Sequence, residues 1–82
     1  MDQIIRTPKQ LGAAIRRHRR SAGLTQAQLG TKIHLRQATI SALERGEPGT
    51  ELRTVFDVIT ALGIEIVVRD RSQSPGKIED LF

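Results

Sequence analysis

QAQLGTKIHLRQATISALER, residues 26–45, is the stretch that decides how this chain folds. Its apolar residues fall at Leu29, Ile33, Leu35, Ile40 and Leu43. Leu29 and Ile33 are spaced i, i+4, and Ile40 and Leu43 i, i+3, so each pair lies on one helical face. Thr25 with Gln28 forms a capping box: a hydroxyl for one orphan N–H, and an amide reaching back to another. The first helix therefore starts after Thr25 and stops near His34. The second covers residues 37–45. Gly30, the smallest residue, sits where the two must approach closely.

Two short helices joined by a tight turn make a helix-turn-helix, whose second helix enters a DNA major groove and offers its N-terminal residues to base edges. Working outward, Thr7-Pro8-Lys9-Gln10 is a strong helix start, with Thr7 as N-cap, Pro8 at the first helical position and Gln10 completing a capping box. That helix is expected to run to about Ala22, with Gly23 closing it and Leu11, Ala14, Ile15 and Ala22 as its apolar stripe. Beyond the motif, Gly46-Glu47-Pro48-Gly49 is a turn cluster. Thr50 is expected to cap a fourth helix reaching Leu62, with Leu52, Val55, Phe56, Ile59 and Leu62 facing inward. After Gly63 the period changes. Ile64-Glu65-Ile66-Val67-Val68-Arg69 is rich in β-branched residues and reads as a strand. A single strand is not stable alone, and the chain offers no second one. It must then pair with something outside the chain; the alternative is a strand laid on its own helices, or disorder. The division is thus an arm over 1–6, a helical domain over 7–63, a strand over 64–69 and a polar tail over 70–82.

Charge and size narrow the function. The chain has 82 residues, a net charge of +4 and no cysteine. Residues 1–46 carry nine Lys/Arg against two acids, and residues 47–82 carry four against seven. A basic half joined to an acidic half is the footprint of a polyanion binder, nucleic acid first. Only Phe56 and Phe82 are aromatic, which argues against modules that stack single-stranded bases. Without cysteine there are neither disulfides nor thiolate metal sites, in keeping with a reducing cytoplasm. His18 and His34 are the only histidines and have no carboxylate pair to join them, so no metal and no cofactor is expected. No Ser/His/Asp set and no phosphate-cradling glycine loop is present, so the chain is not read as an enzyme. Nor does it contain a membrane-spanning run.

The stretch TQAQLGTKI…ATISALERG resembles the XRE-type helix-turn-helix family of Cro and phage repressors, over roughly Leu11 to Leu62. The resemblance implies a mainly α, lambda-repressor-like domain of four or five helices. By position it assigns base contacts to Arg36, Gln37, Ala38 and Ser41. It assigns phosphate contacts to Gln26, and Thr39, Lys32 and Arg45 are further candidates. The chemistry agrees for Arg36 and Gln37, because Arg grips guanine O6/N7 and Gln grips adenine N6/N7. Arg36 also occupies an N-cap position for which it is poorly suited. The resemblance makes Arg19 and Glu44 a structural ion pair between the first helix and the recognition helix. Arg16, Arg17 and Arg20 are left as a general electrostatic field. Two departures stand out: His34 where the family has Gly, at a turn that often needs φ > 0, and Gly30 where it usually has Ala.

The opening IIRTPKQLGAAIRRHRRSAGLTQAQL, with RQATISALE and TVFDVITALGIEIVV, is similar to HipB-type antitoxins. That likeness implies a homodimer on palindromic operator DNA that represses its own operon and binds a HipA-like kinase toxin. The strand would then pair across the dimer as a two-stranded ribbon. Ile64, Ile66, Val67 and Val68 would form the interface, with Val58 and Leu62 beneath. Ile78, Leu81 and Phe82 would dock on the toxin. The protein would be cytoplasmic, and nucleoid-associated when on its operator. Two other readings remain: a stand-alone phage-type or restriction-modification controller, and a protein-interaction module that no longer reads DNA.

Overall fold

A computed structural model describes residues 2–71. It contains four helices: α1 Pro8–Ser21, α2 Gln26–Lys32, α3 Gln37–Glu44 and α4 Leu52–Ala61. Local chemistry explains where the first two start. The Thr7 hydroxyl accepts from the Gln10 N–H, while Gln10 reaches one residue further back than expected and accepts from the Arg6 N–H. At α2 the capping box is complete, with Thr25 and Gln28 satisfying each other's backbone N–H groups at 2.8 and 3.0 Å. The start of α4 differs from expectation. Its N-cap is Glu51, not Thr50, and it makes no side-chain capping bond.

All four helices stop by one device. The second residue past each C-cap donates its N–H to a carbonyl five residues back: Leu24 to Arg19, Leu35 to Gly30, Glu47 to Ala42 and Ile64 to Ile59. This is the Schellman motif, and it requires a left-handed residue just past the cap. Glycine supplies it after α1, α3 and α4. After α2 the residue is His34, at φ 60°, in the turn of the motif itself. An L-residue with a bulky side chain is strained there.

The core is built from Ile15, Leu29, Ile40, Leu43, Val55, Val58 and Ile59, with Leu11, Leu24, Ile33, Leu35, Leu62 and Ile64 packed around it. Close approach of two backbones sets the geometry. A Cβ on Gly12 would lie 2.5 Å from the carbonyl oxygens of both Leu43 and Glu44, so α1 and α3 meet backbone to backbone. A Cβ on Gly30 would lie 2.5 Å from the Leu35 oxygen, so the turn closes tightly over α2 and an alanine here would require the turn to shift.

Several expectations are corrected. Ala22 is exposed, because the chain has already left the helix there. Leu52 is 69% exposed and Phe56 48%, so the buried face of α4 is Thr54, Val55, Val58 and Ile59 instead. The stripe is rotated toward Val58, which is fully buried within its own chain and has no surface left for a partner. No strand forms among the described residues. Residues 64–69 form no regular element, and among the described residues Ile64 alone of this segment donates its backbone N–H, to Ile59. Ile78, Leu81, Phe82 and most of the polar tail lie outside the described residues.

His34 gives a direct test. Replacing it by glycine removes the left-handed penalty and should raise stability by about 0.5–1 kcal/mol, whereas His34→Val should lower it. Urea unfolding midpoints should move in opposite directions for the two variants.

Candidate nucleic-acid interface

The outer face of α3 is fixed by what its inner face touches. Ile40, Leu43 and Glu44 are buried, which turns Gln37, Ala38 and Arg45 outward and leaves Ser41 half-buried between them. On helical spacing, Ala38, Ser41 and Arg45 form one stripe. Arg36 is the exposed N-cap of this helix, in extended backbone and without a side-chain capping bond. Among the described residues its guanidinium has no hydrogen-bond or ion-pair partner, and a cation gains nothing from the positive end of a helix dipole. Arg36, Gln37, Ala38 and Ser41 thus occupy the first turn and the outward stripe of one helix.

Beneath this face lies a buried polar cluster. Arg19 of α1 donates from Nε to Glu44 Oε2 at 2.6 Å and from Nη2 to Oε1 at 3.0 Å. Its Nη1 donates to the Leu24 carbonyl at 2.7 Å. Gln26, the first residue of α2, donates from Nε2 to Glu44 Oε1 at 3.1 Å. Burial pushes the Glu44 carboxyl up. Hydrogen bonds from Arg19 and Gln26 and the charges of Arg19 and Arg16 outweigh it, so the carboxyl sits below its ordinary value. The same hydrogen bond holds the Arg19 guanidinium above its ordinary value, against the cost of burial. Gln26, which sequence reasoning placed at a phosphate, is therefore also a strut of this cluster. One of its amide hydrogens is committed inward.

The remaining phosphate candidates separate. Lys32 is exposed at the end of α2, and Thr39 is half-buried on α3. Arg45 is not free: it is gripped by Glu47 Oε2, with Nε at 2.8 Å, and also donates to the Ser41 hydroxyl. Sequence reasoning missed this contact. The signal for it was the (i, i+2) pair Arg45 and Glu47 across a helix end. Arg16, Arg17, His18 and Arg20 are all exposed on α1, a helix with no acidic residue in its sequence. Among the described residues no cluster of His and acidic side chains could hold a metal, and no helix is long and apolar enough to cross a membrane.

The pair carries a pH dependence whose direction is fixed. A carboxyl held below its unfolded value contributes stability that is complete above the ordinary Glu range and is lost as pH falls toward its folded value. Removing the charge leaves Arg19 buried and unpaired. Glu44→Gln should therefore cost about 3–5 kcal/mol at neutral pH and flatten the acid side of the stability profile. Urea titrations of both proteins between mildly acidic and neutral pH check this.

The comparisons with known proteins agree with this geometry. A helix-turn-helix domain family matches residues 10–71. Antitoxin HipB of Escherichia coli K12 is 36% identical over 78 residues, spanning 94% of this chain and 89% of that protein. An uncharacterized HTH-type transcriptional regulator of Methanothermobacter thermautotrophicus is 39% identical over 68 residues, 83% of each chain. Among solved structures, a complex of a HipB variant with an O2 20mer superposes with a TM-score of 0.81 at 36% identity, covering 88% of this chain and all of that one. A HipA-HipB-O2-O3 complex gives 0.79 at 35% identity, with 87% and 100% covered. The chain belongs to the XRE-type helix-turn-helix family, a non-enzymatic family, and within it is a HipB-like protein.

Proposed function

We propose that this chain is a sequence-specific double-stranded DNA-binding repressor that serves as the antitoxin of a HipBA-type pair. The observation that carries the reading is the outward face of α3, held rigidly over the buried Arg19–Glu44–Gln26 cluster and presenting Arg36, Gln37, Ala38 and Ser41 together. Arg36 reads a guanine and Gln37 an adenine. Ala38 meets a thymine methyl, and Ser41 takes a neighbouring edge. Lys32, Thr39 and the start of α2 at Gln26 hold phosphates. The exposed arginines of α1 add sequence-independent attraction. The HipB structures with operator oligonucleotides support the DNA partner, and the HipA-HipB complex supports a HipA-like kinase as the protein partner. On this reading the protein acts in the cytoplasm, on the operator of its own operon within the nucleoid. Ile78, Leu81 and Phe82 are its docking points on the toxin.

The active species is a homodimer on a palindromic site. Among the described residues the backbone of 65–69 has no partner, and its apolar side chains are open, with Ile66 49%, Val67 69% and Val68 94% exposed. A β-branched segment in this state can serve as a pairing edge. Two copies joined as a ribbon satisfy both edges, with Ile64 and Leu62 linking the ribbon to each core.

A gel mobility shift with the region immediately upstream of the chain's own reading frame tests the reading. Arg36→Ala should weaken binding by about 1–3 kcal/mol and relax the preference over a scrambled duplex. Equal binding of both proteins to both duplexes would falsify sequence-specific repression. For the ribbon, Val67→Pro removes a backbone donor at an exposed position. Sedimentation should then show a shift from dimer to monomer with an unchanged helical spectrum.

A further inference from the structure

Three of the four helix ends share a feature that the fourth lacks. In the Schellman motif the residue donating the long-range N–H is ordinarily apolar and packs back on the helix. After α1, α2 and α4 that residue is Leu24, Leu35 or Ile64, each packed against the core. After α3 it is Glu47, exposed. Its backbone is tied to Ala42 at 3.1 Å, so the carboxylate is tethered to the end of the recognition helix. There it takes the Arg45 Nε at 2.8 Å and a second Arg45 donor, while the third donating nitrogen of that guanidinium goes to Ser41 Oγ. Ser41 and Arg45 belong to the outward stripe of α3.

We propose that Glu47 is a specificity-determining residue, a tethered carboxylate that occupies Arg45 in place of a DNA phosphate. The inference rests on the reading that this stripe meets DNA. Carboxylate and phosphate oxygens compete for the same guanidinium donors. A free arginine at this point would bind any phosphate backbone and add affinity without sequence information. Held by Glu47, it contributes less to non-specific binding and instead fixes the Ser41 hydroxyl. With one lone pair taken by Arg45, Ser41 retains its proton for an acceptor on a base edge. Stability favours an apolar residue at position 47. The acid there serves discrimination.

The test measures the salt dependence of binding for wild type, Glu47→Gln, Arg45→Ala and the double variant. The probes are the upstream duplex and a scrambled duplex of equal length. Glu47→Gln should bind the scrambled duplex more tightly, and its plot of log affinity against log salt should steepen by about 0.9 per protomer, one further phosphate neutralised. The upstream-to-scrambled ratio should fall. In the Arg45→Ala background the same substitution should leave the slope unchanged. Melting temperatures matching wild type show that the effect is not one of folding. A slope unaltered by Glu47→Gln, or an increment that survives without Arg45, overturns the inference and leaves the DNA reading standing. Wild-type protein that binds neither duplex overturns both.

Discussion

One carboxylate, that of Glu44, holds together the parts of this molecule that must not move relative to one another. It receives Arg19 from α1 and Gln26 from the first turn of α2, and it sits itself near the end of α3. Arg19 in turn fixes the Leu24 carbonyl in the loop that leads into α2. Burying two charges is worthwhile only when every donor and acceptor is matched. Here the matching is complete, since no buried side-chain nitrogen or oxygen among the described residues lacks a partner. Apolar residues of similar size could stabilise the domain as well. They would not fix the angle between the start of α2 and the outer face of α3. Directionality is what the hydrogen bonds add. The close contact at Gly12 works to the same end, because it lets α3 approach α1 near enough for Arg19 to reach across.

Much of this is legible in the sequence, and the reasons differ by element. The starts of α1 and α2 are readable because capping is local: a hydroxyl and an amide three residues apart suffice. The two helices of the motif are readable from apolar spacing. The Arg19–Glu44 pairing comes from family resemblance. Spacing does not reveal a contact between residues 25 apart. The least legible element is α4. Its sequence offers two overlapping apolar stripes, one through Leu52 and Phe56 and one through Val55, Val58 and Ile59. Periodicity alone cannot say which is inward. The space between α1, α2 and α3 accepts the second, which is why Val58 ends in the core and Phe56 outside. Gly12 escapes a reading of patterns because a missing side chain leaves none. The Arg45–Glu47 contact is hidden because the turn that joins them reverses the chain only after the helix has ended.

The charge asymmetry now has a physical layout. The arginines of α1 other than Arg19 are exposed, and α1 carries no acid to neutralise them. Among the described residues the acids of the second half lie on α4 and in the segments on either side of it, apart from Glu47, which sits against the recognition helix. A chain this short buries a modest fraction of its surface. It leaves Leu52, Phe56, Ile66, Val67 and Val68 uncovered. Exposed apolar surface of this kind is what an association with another protein surface would cover.

The uniform way in which the helices stop bears on how quickly the chain can find its fold. Each stop is closed by bonds that span six residues or fewer, from groups already adjacent along the chain. The ends of the helices, and with them the direction in which each hands the chain to the next, are therefore encoded by groups close together along the chain. The helices themselves, 14, 7, 8 and 10 residues long, are held by packing against one another. Small helical domains dominated by such local contacts assemble in about microseconds to milliseconds. A chain of this kind would spend little time with the residues of its core open to water.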